Sequence, residues 1–230
     1  MPSVFCDIFD RYSSFDAAAT NAIVTGSDPS AKRDEVDLLK RFAVALALCH
    51  NLGVEAAADA DGSVEYRAES PDEAALAAGA AQLDVIFLGR KQNRVMLREF
   101  GRDRIYTLEV TVPFDSDRKR MTVVVRADDG SYLVFTKGAD TIMFPLLAPI
   151  VLGSHDDGVL QATTGHLNDF SSIGLRTLVF AYRLLTQEQG AHSTTCMRQY
   201  VVDCVPAFTP TRSSRRVAGA ALGCCKCHHG

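Results

Sequence analysis

Apolar residues recur at helical spacing between Glu35 and Asn51, where Val36, Leu39, Phe42, Leu46 and Cys49 share one face and Gly53 stands where such a helix closes. A short strand is expected at 64–67, followed by an alanine-rich helix from Ser70 to about Leu83 that can lie close against a sheet. The pattern then changes period. Tyr106, Leu108, Val110, Val112 and Phe114 alternate with Thr107, Glu109 and Thr111, which predicts a strand with one buried face ending at Phe114. Met121, Val123 and Val125 alternate with Thr122 and Arg126 in a second strand, and Asp129-Gly130 supplies a hairpin turn before a third at 132–137. Segments 85–88 and 94–100 add two more strands.

Consecutive strands joined by short turns pair antiparallel. Beyond Gly138 the pattern predicts a helix over 141–147 capped by Asp140, and another over 159–173 turning Leu160, Leu167, Phe170 and Ile173 inward before Gly174. A last strand follows over 176–185, with Leu178, Phe180, Tyr182 and Leu184 on one face. The expected fold class is α+β, an antiparallel β-sheet flanked by helices. Residues 1–34 read as an irregular lead-in, 35–185 as the domain, and 186–230 as an unpatterned, disordered tail.

Composition narrows the function classes. The chain has 230 residues, 47% of them hydrophobic and 23% charged, which suits a globular protein with a sizeable core. A net charge of -4 provides no basic field for nucleic acid or an anionic membrane, and the compact basic cluster Arg118, Lys119, Arg120 reads as a solvated turn. The apolar run from Ile142 to Gly153 is broken by Pro145 and Pro149 and falls short of the roughly 18 residues of a membrane span. Asp7, Asp10 and Arg11 interrupt any secretory core at the amino end, so a soluble, cytoplasmic chain is expected. Five of seven cysteines fall between 196 and 227, and free thiols are expected. The terminal Cys224, Cys225, Cys227, His228 and His229 lack the paired spacing of a zinc site and read as tail.

Four stretches carry chemistry. In ESPDEAAL, Ser70 is a good N-cap, Pro71 suits the first helical position and Glu73 completes a capping box. Phe114 of FDSDRKRM offers a flat apolar ring at a strand end, and Ser116 and Lys119 add donors. Lys137 of KGAD stands in register with Leu133 and Phe135, so its stem starts on an apolar surface and carries charge to the sheet edge. Arg176 of GLRTL has a planar fork suited to phosphate oxygens, with the Thr177 hydroxyl beside it.

In this order the four stretches resemble the nucleotide-binding domain of the phospholipid-translocating P-type ATPases, the lipid flippases, over about Asp37 to Leu185. FAVALALCHNL fits the helix preceding the first motif in that family. The resemblance implies an ATP site formed by Glu73, Phe114, Ser116, Lys119, Lys137, Arg176 and Thr177. Adenine would lie between Phe114 and Lys137, its amino group on Glu73, and the phosphates would reach Arg176. Asp115 stands where the family often has asparagine and brings a negative charge to that pocket.

The family's DKTGT phosphorylation motif, its TGE-type loop and its magnesium motif do not occur in this sequence. The expectation is a chain that binds ATP without turning it over alone. Phosphorylation and membrane domains of an intact pump would be its partners on the cytoplasmic side of a membrane, and Mg2+ would be held outside this chain. A non-catalytic interaction module or truncated relic is the alternative. Glu73 is claimed twice, by the cap amide of its own helix and by an adenine.

Overall fold

In a computed structural model, residues 29–54, 66–68, 70–147, 155–191 and 222–224 are described. Helix α1 (Pro29–Leu48) leads into β1 (Gly53–Val54), which pairs with β2 (Tyr66–Arg67), and α2 (Pro71–Gln82) follows. A meander then runs through β3 (Val85–Lys91), β4 (Arg94–Glu99), β5 (Arg102–Asp115), β6 (Arg120–Arg126) and β7 (Tyr132–Gly138). Helix α3 (Asp140–Met143), a 3-10 turn (Phe144–Leu146) and α4 (His155–Ser172) lead back to β8 (Arg176–Leu185). From β3 to β8 each strand pairs antiparallel with the next, through short turns as far as β7 and through the helical excursion between β7 and β8. Two short elements lie past 185: α5 (Gln187–Gly190), opened by a Thr186–Gln189 capping box, and β9 (Leu222–Cys224), paired with β8.

Helices cover both faces of the sheet. On one, α1 and α2 pack Phe42, Leu46, Cys49, Leu76 and Ala80 against Phe87, Leu97, Met121, Val123, Phe135 and Phe180. Small alanines on α2 permit that close approach, as the sequence suggested. On the other face, Met143, Leu167 and Phe170 of α3 and α4 lie with Val179 of β8, beside a second cluster of Val110, Val112, Val124 and Val134. Covered on both sides, β6 is buried from Met121 through Val125 and β7 from Leu133 through Gly138. Burying a side chain such as Phe135 of β7 or Phe180 of β8 contributes about 2–3 kcal/mol, so β6, β7 and β8 anchor this part of the sheet.

Several sequence expectations are corrected. The apolar residues of β5 do not form one face, because a bulge between Leu108 and Val110 changes the register. Leu108 and Tyr106 stay in the α1/α2 core, whereas Val110 and Val112 pass to the opposite cluster. Alternation in sequence survives the bulge; alternation in space does not. Ile173 is 58% exposed, since α4 ends at Ser172 and Gly174 turns the chain at φ +77. Gly53 begins β1 rather than closing α1, which starts at Pro29, ahead of residue 35. Ala139, not Asp140, is the N-cap of α3, and the Asp140 carboxylate accepts from the amide of Thr141 instead. The expected 64–67 strand is present at Tyr66–Arg67, residues 64 and 65 lying outside the described residues, as do 1–28 and the cysteines and histidines at 225–229.

Candidate functional site

The first turn of α2 sets the site. Ser70 is its N-cap, in extended conformation with its hydroxyl accepting from the Asp72 amide at 3.3 Å, and Pro71 takes the first helical position. The predicted capping box does not close through Glu73. Both oxygens of that carboxylate are engaged elsewhere: Oε1 accepts from Lys137 Nζ at 3.0 Å and Oε2 from the Asn51 amide at 3.1 Å. The pair spans from α2 to β7 and is well enclosed, the side chains of Lys137 and Glu73 being 7% and 15% exposed. An ammonium with that little water needs a counter-charge, and Glu73 is it.

Register places the other motif residues at the same end of the sheet. Lys137 pairs across to Met121 of β6 and Phe180 of β8, and the next row runs Asp115, Arg120, Gly138, Val179. A second irregularity between Val112 and Asp115 falls at Phe114, the residue before the Asp115 end of that row. Phe114 is 57% exposed at that position. A large apolar ring exposed at the end of a packed sheet is an informative kind of exposure, a flat surface on which a ligand ring can stack.

The turn joining β5 to β6 is fixed by its own charges. Asp115 accepts from the Arg118 amide at 2.7 Å and pairs with the Arg118 guanidinium, which also donates to the Pro113 carbonyl at 2.8 Å. Hydrogen bonds from Arg118 therefore hold the Asp115 carboxyl below its usual range. The Asp115 charge is thus spent inside the turn. Lys119 adopts φ +49 and directs its carbonyl at β7, where it accepts from the Ala139 amide at 3.3 Å. Gly138 makes that contact possible, because a Cβ there would lie 2.7 Å from the Lys119 carbonyl oxygen and 2.9 Å from Arg120 Cβ. The second and third motifs interlock through one missing methyl group.

Arg176 opens β8 with its side chain 72% exposed and donates through Nη1 to Asp72 Oδ2 at 2.5 Å. It therefore stands over the same first turn of α2 that carries Glu73. Thr177 follows, half-buried, and Ser116 and Lys119 are exposed in the β5–β6 turn. So Glu73 and Lys137 are joined directly, Arg176 is joined to Glu73's neighbour, and Phe114, Ser116 and Lys119 line the adjoining turn.

Sequence reasoning missed the segment between α1 and β1. Cys49 directs its thiol at the Met121 carbonyl, 3.8 Å away, and burial pushes its pKa up to about 11, making it a protonated, free thiol. His50 is buried, its ring edge-on to Phe87 at 4.6 Å, with Nδ1 accepting from the Leu52 amide at 3.2 Å. Burial, reinforced by the Lys137 charge, lowers its pKa to about 4 despite the opposing effect of Glu73. Since an unfolded histidine titrates near 6.5, the unfolded chain binds the extra proton between those values and stability is lost as pH falls through that window. Denaturant melts at pH 7, 5.5 and 4 should show this loss, and His50→Gln should flatten it by up to one proton's worth of slope.

Among the described residues no group of three His, Cys, Asp or Glu side chains is placed to hold a metal ion. Among them, too, no helix is long and apolar enough to cross a membrane.

Comparison with known proteins agrees with the geometry. Residues 38–204 match the family described as P-type ATPase, cytoplasmic domain N. A phospholipid-transporting ATPase of Schizosaccharomyces pombe is 37% identical over 156 residues, 68% of this chain and 12% of the relative. The phospholipid-transporting ATPase FetA of Mus musculus is 37% identical over 155 residues, 67% of this chain and 12% of the relative. The phospholipid-transporting ATPase tat-1 of Caenorhabditis elegans is 39% identical over 145 residues, 63% and 12%. The chain thus spans about an eighth of the length of these relatives.

Proposed function

Because the chain belongs to the cytoplasmic N-domain family of the P-type ATPases, we propose that it binds ATP at the end of the sheet where β5, β6 and β7 meet the first turn of α2. The observation that carries this reading is that the exposed Phe114 ring and the enclosed Lys137–Glu73 pair lie at the same end of the sheet. The adenine stacks on Phe114 and abuts the Lys137 stem. Glu73, held by the Asn51 amide, keeps lone pairs for the exocyclic amino group even while it pairs with Lys137. Ser116 and Lys119 contact the ribose side, and Arg176 with Thr177 faces the phosphates.

In the same reading the chain serves a phospholipid-transporting pump. It presents the terminal phosphate to a phosphorylation domain, since transfer needs a positioned acceptor and metal that the motifs of this chain do not supply. Mg2+ belongs to that step and to residues outside this sequence.

NMR titration with ATP tests the proposal. Shifts should concentrate at Glu73, Phe114, Lys137 and Arg176. Stacking of a base on an aromatic is worth about 1–3 kcal/mol, so Phe114→Ala should weaken binding by about 5- to 150-fold with the fold intact. An unchanged wild-type spectrum at millimolar ATP would end the reading.

A further inference from the structure

Asp72 and Arg176 lie 104 residues apart in sequence, yet their side chains meet at 2.5 Å. The contact joins the first turn of α2 to the start of β8 at the site's phosphate end. The guanidinium is 72% exposed, whereas the carboxylate is 22% exposed and fixed on a helix whose amide at Asp72 is capped by Ser70. The aspartate is therefore the anchored partner and the arginine the adjustable one.

We propose that Asp72 is a built-in competitor for phosphate: its carboxylate occupies the guanidinium that the phosphate chain of a bound nucleotide needs, and so sets the affinity for that chain. The inference rests on the nucleotide reading above for its ligand class, and on the ion pair for its mechanism. A carboxylate can act on such an arginine in two opposed ways. As an orienting partner it would lower the cost of fixing Arg176. As a competitor it must be displaced, and its charge then repels a polyanion a few ångströms away. The second effect wins here, because an ion pair whose guanidinium is 72% exposed contributes little order. A triphosphate meanwhile multiplies the repulsion with each charge it brings.

The test is isothermal titration of the wild type, Asp72→Asn and Asp72→Asn/Arg176→Gln with ATP, adenosine and inorganic tripolyphosphate at low salt. Asp72→Asn should bind ATP and tripolyphosphate tighter by about three- to ten-fold, the scale of one exposed charge interaction amplified by a polyanion. Adenosine should be unaffected, the gain should fade at high salt, and the second substitution should abolish it. Unchanged or weaker tripolyphosphate and ATP binding by Asp72→Asn would overturn the proposal and make Asp72 an orienting residue. Adenosine reports separately: no response to it, with the tripolyphosphate gain retained, sinks the base pocket and leaves the competition standing.

Discussion

Lys137→Ala is expected to lower the stability of the domain by about 3–5 kcal/mol, the cost of leaving one member of an enclosed ion pair without its partner. The substitution leaves the Glu73 carboxylate, 15% exposed, with the Asn51 amide alone. It also removes a stem that packs at the row of Met121 and Phe180, two of the most buried side chains in the sheet. Adding Glu73→Gln to Lys137→Met should recover most of the loss, because a neutral pair of similar volume carries no buried charge. Chemical denaturation of the single and double variants measures both. The same pair changes the meaning of a Glu73→Gln experiment: that substitution strips Lys137 of its counter-charge, so it should lower stability as well as ATP affinity. Neither effect alone can then assign the side chain to architecture or to nucleotide.

The second large effect is expected at Gly138. Alanine there would place a Cβ 2.7 Å from the Lys119 carbonyl and 2.9 Å from Arg120 Cβ. One neighbour is backbone, held by the Ala139 amide and by a turn that Asp115 and Arg118 lock together, so it has little room to yield. Overpacking against such a wall costs about 1–3 kcal/mol. The strain falls between Phe114 and Lys137, so Gly138→Ala should weaken ATP binding beyond what its loss of melting temperature would suggest. Moving β7 away from the β5–β6 turn would separate the two sides of the proposed base site. Calorimetric melting and ATP titration of the same variant report the two effects together.

What the sequence made legible follows the range of the interactions. Strand β8 was readable to the residue because Leu178, Phe180, Tyr182 and Leu184 recur at every second position between Gly174 and Thr186 and turn one face to the α1/α2 core. The hairpin at Asp129-Gly130 was equally plain, since a glycine at φ +83 and an aspartate bonded to Ser131 are local chemistry. The two faces of β5 were not readable, because the bulge at Glu109 leaves the apolar spacing untouched while turning Val110 and Val112 to the other side of the sheet. Ile173 failed for a related reason: the helix stops one residue before the pattern does.

Near the first turn of α2, local pattern misassigned what Glu73 does. A capping box is judged over three residues, whereas the partner that takes Glu73 lies 64 residues away on β7. Asn51 and His50 carried no signal beyond following a helix, and their roles appear only when α1 ends beside α2 and β3. Asp72, in the first turn of α2, acquires a partner 104 residues distant. Long-range ion pairs depend on how the sheet brings β7 and β8 under α2, and no window of sequence encodes that.

The most direct measurement is an intermolecular NOE spectrum of the protein saturated with ATP. The account predicts cross-peaks from the adenine protons to the Phe114 ring and to the side-chain methylenes of Lys137, with none to the Tyr132 ring at the far end of β7. Adenine contacts that bypass Phe114 and Lys137, in a protein that demonstrably binds ATP, would contradict it.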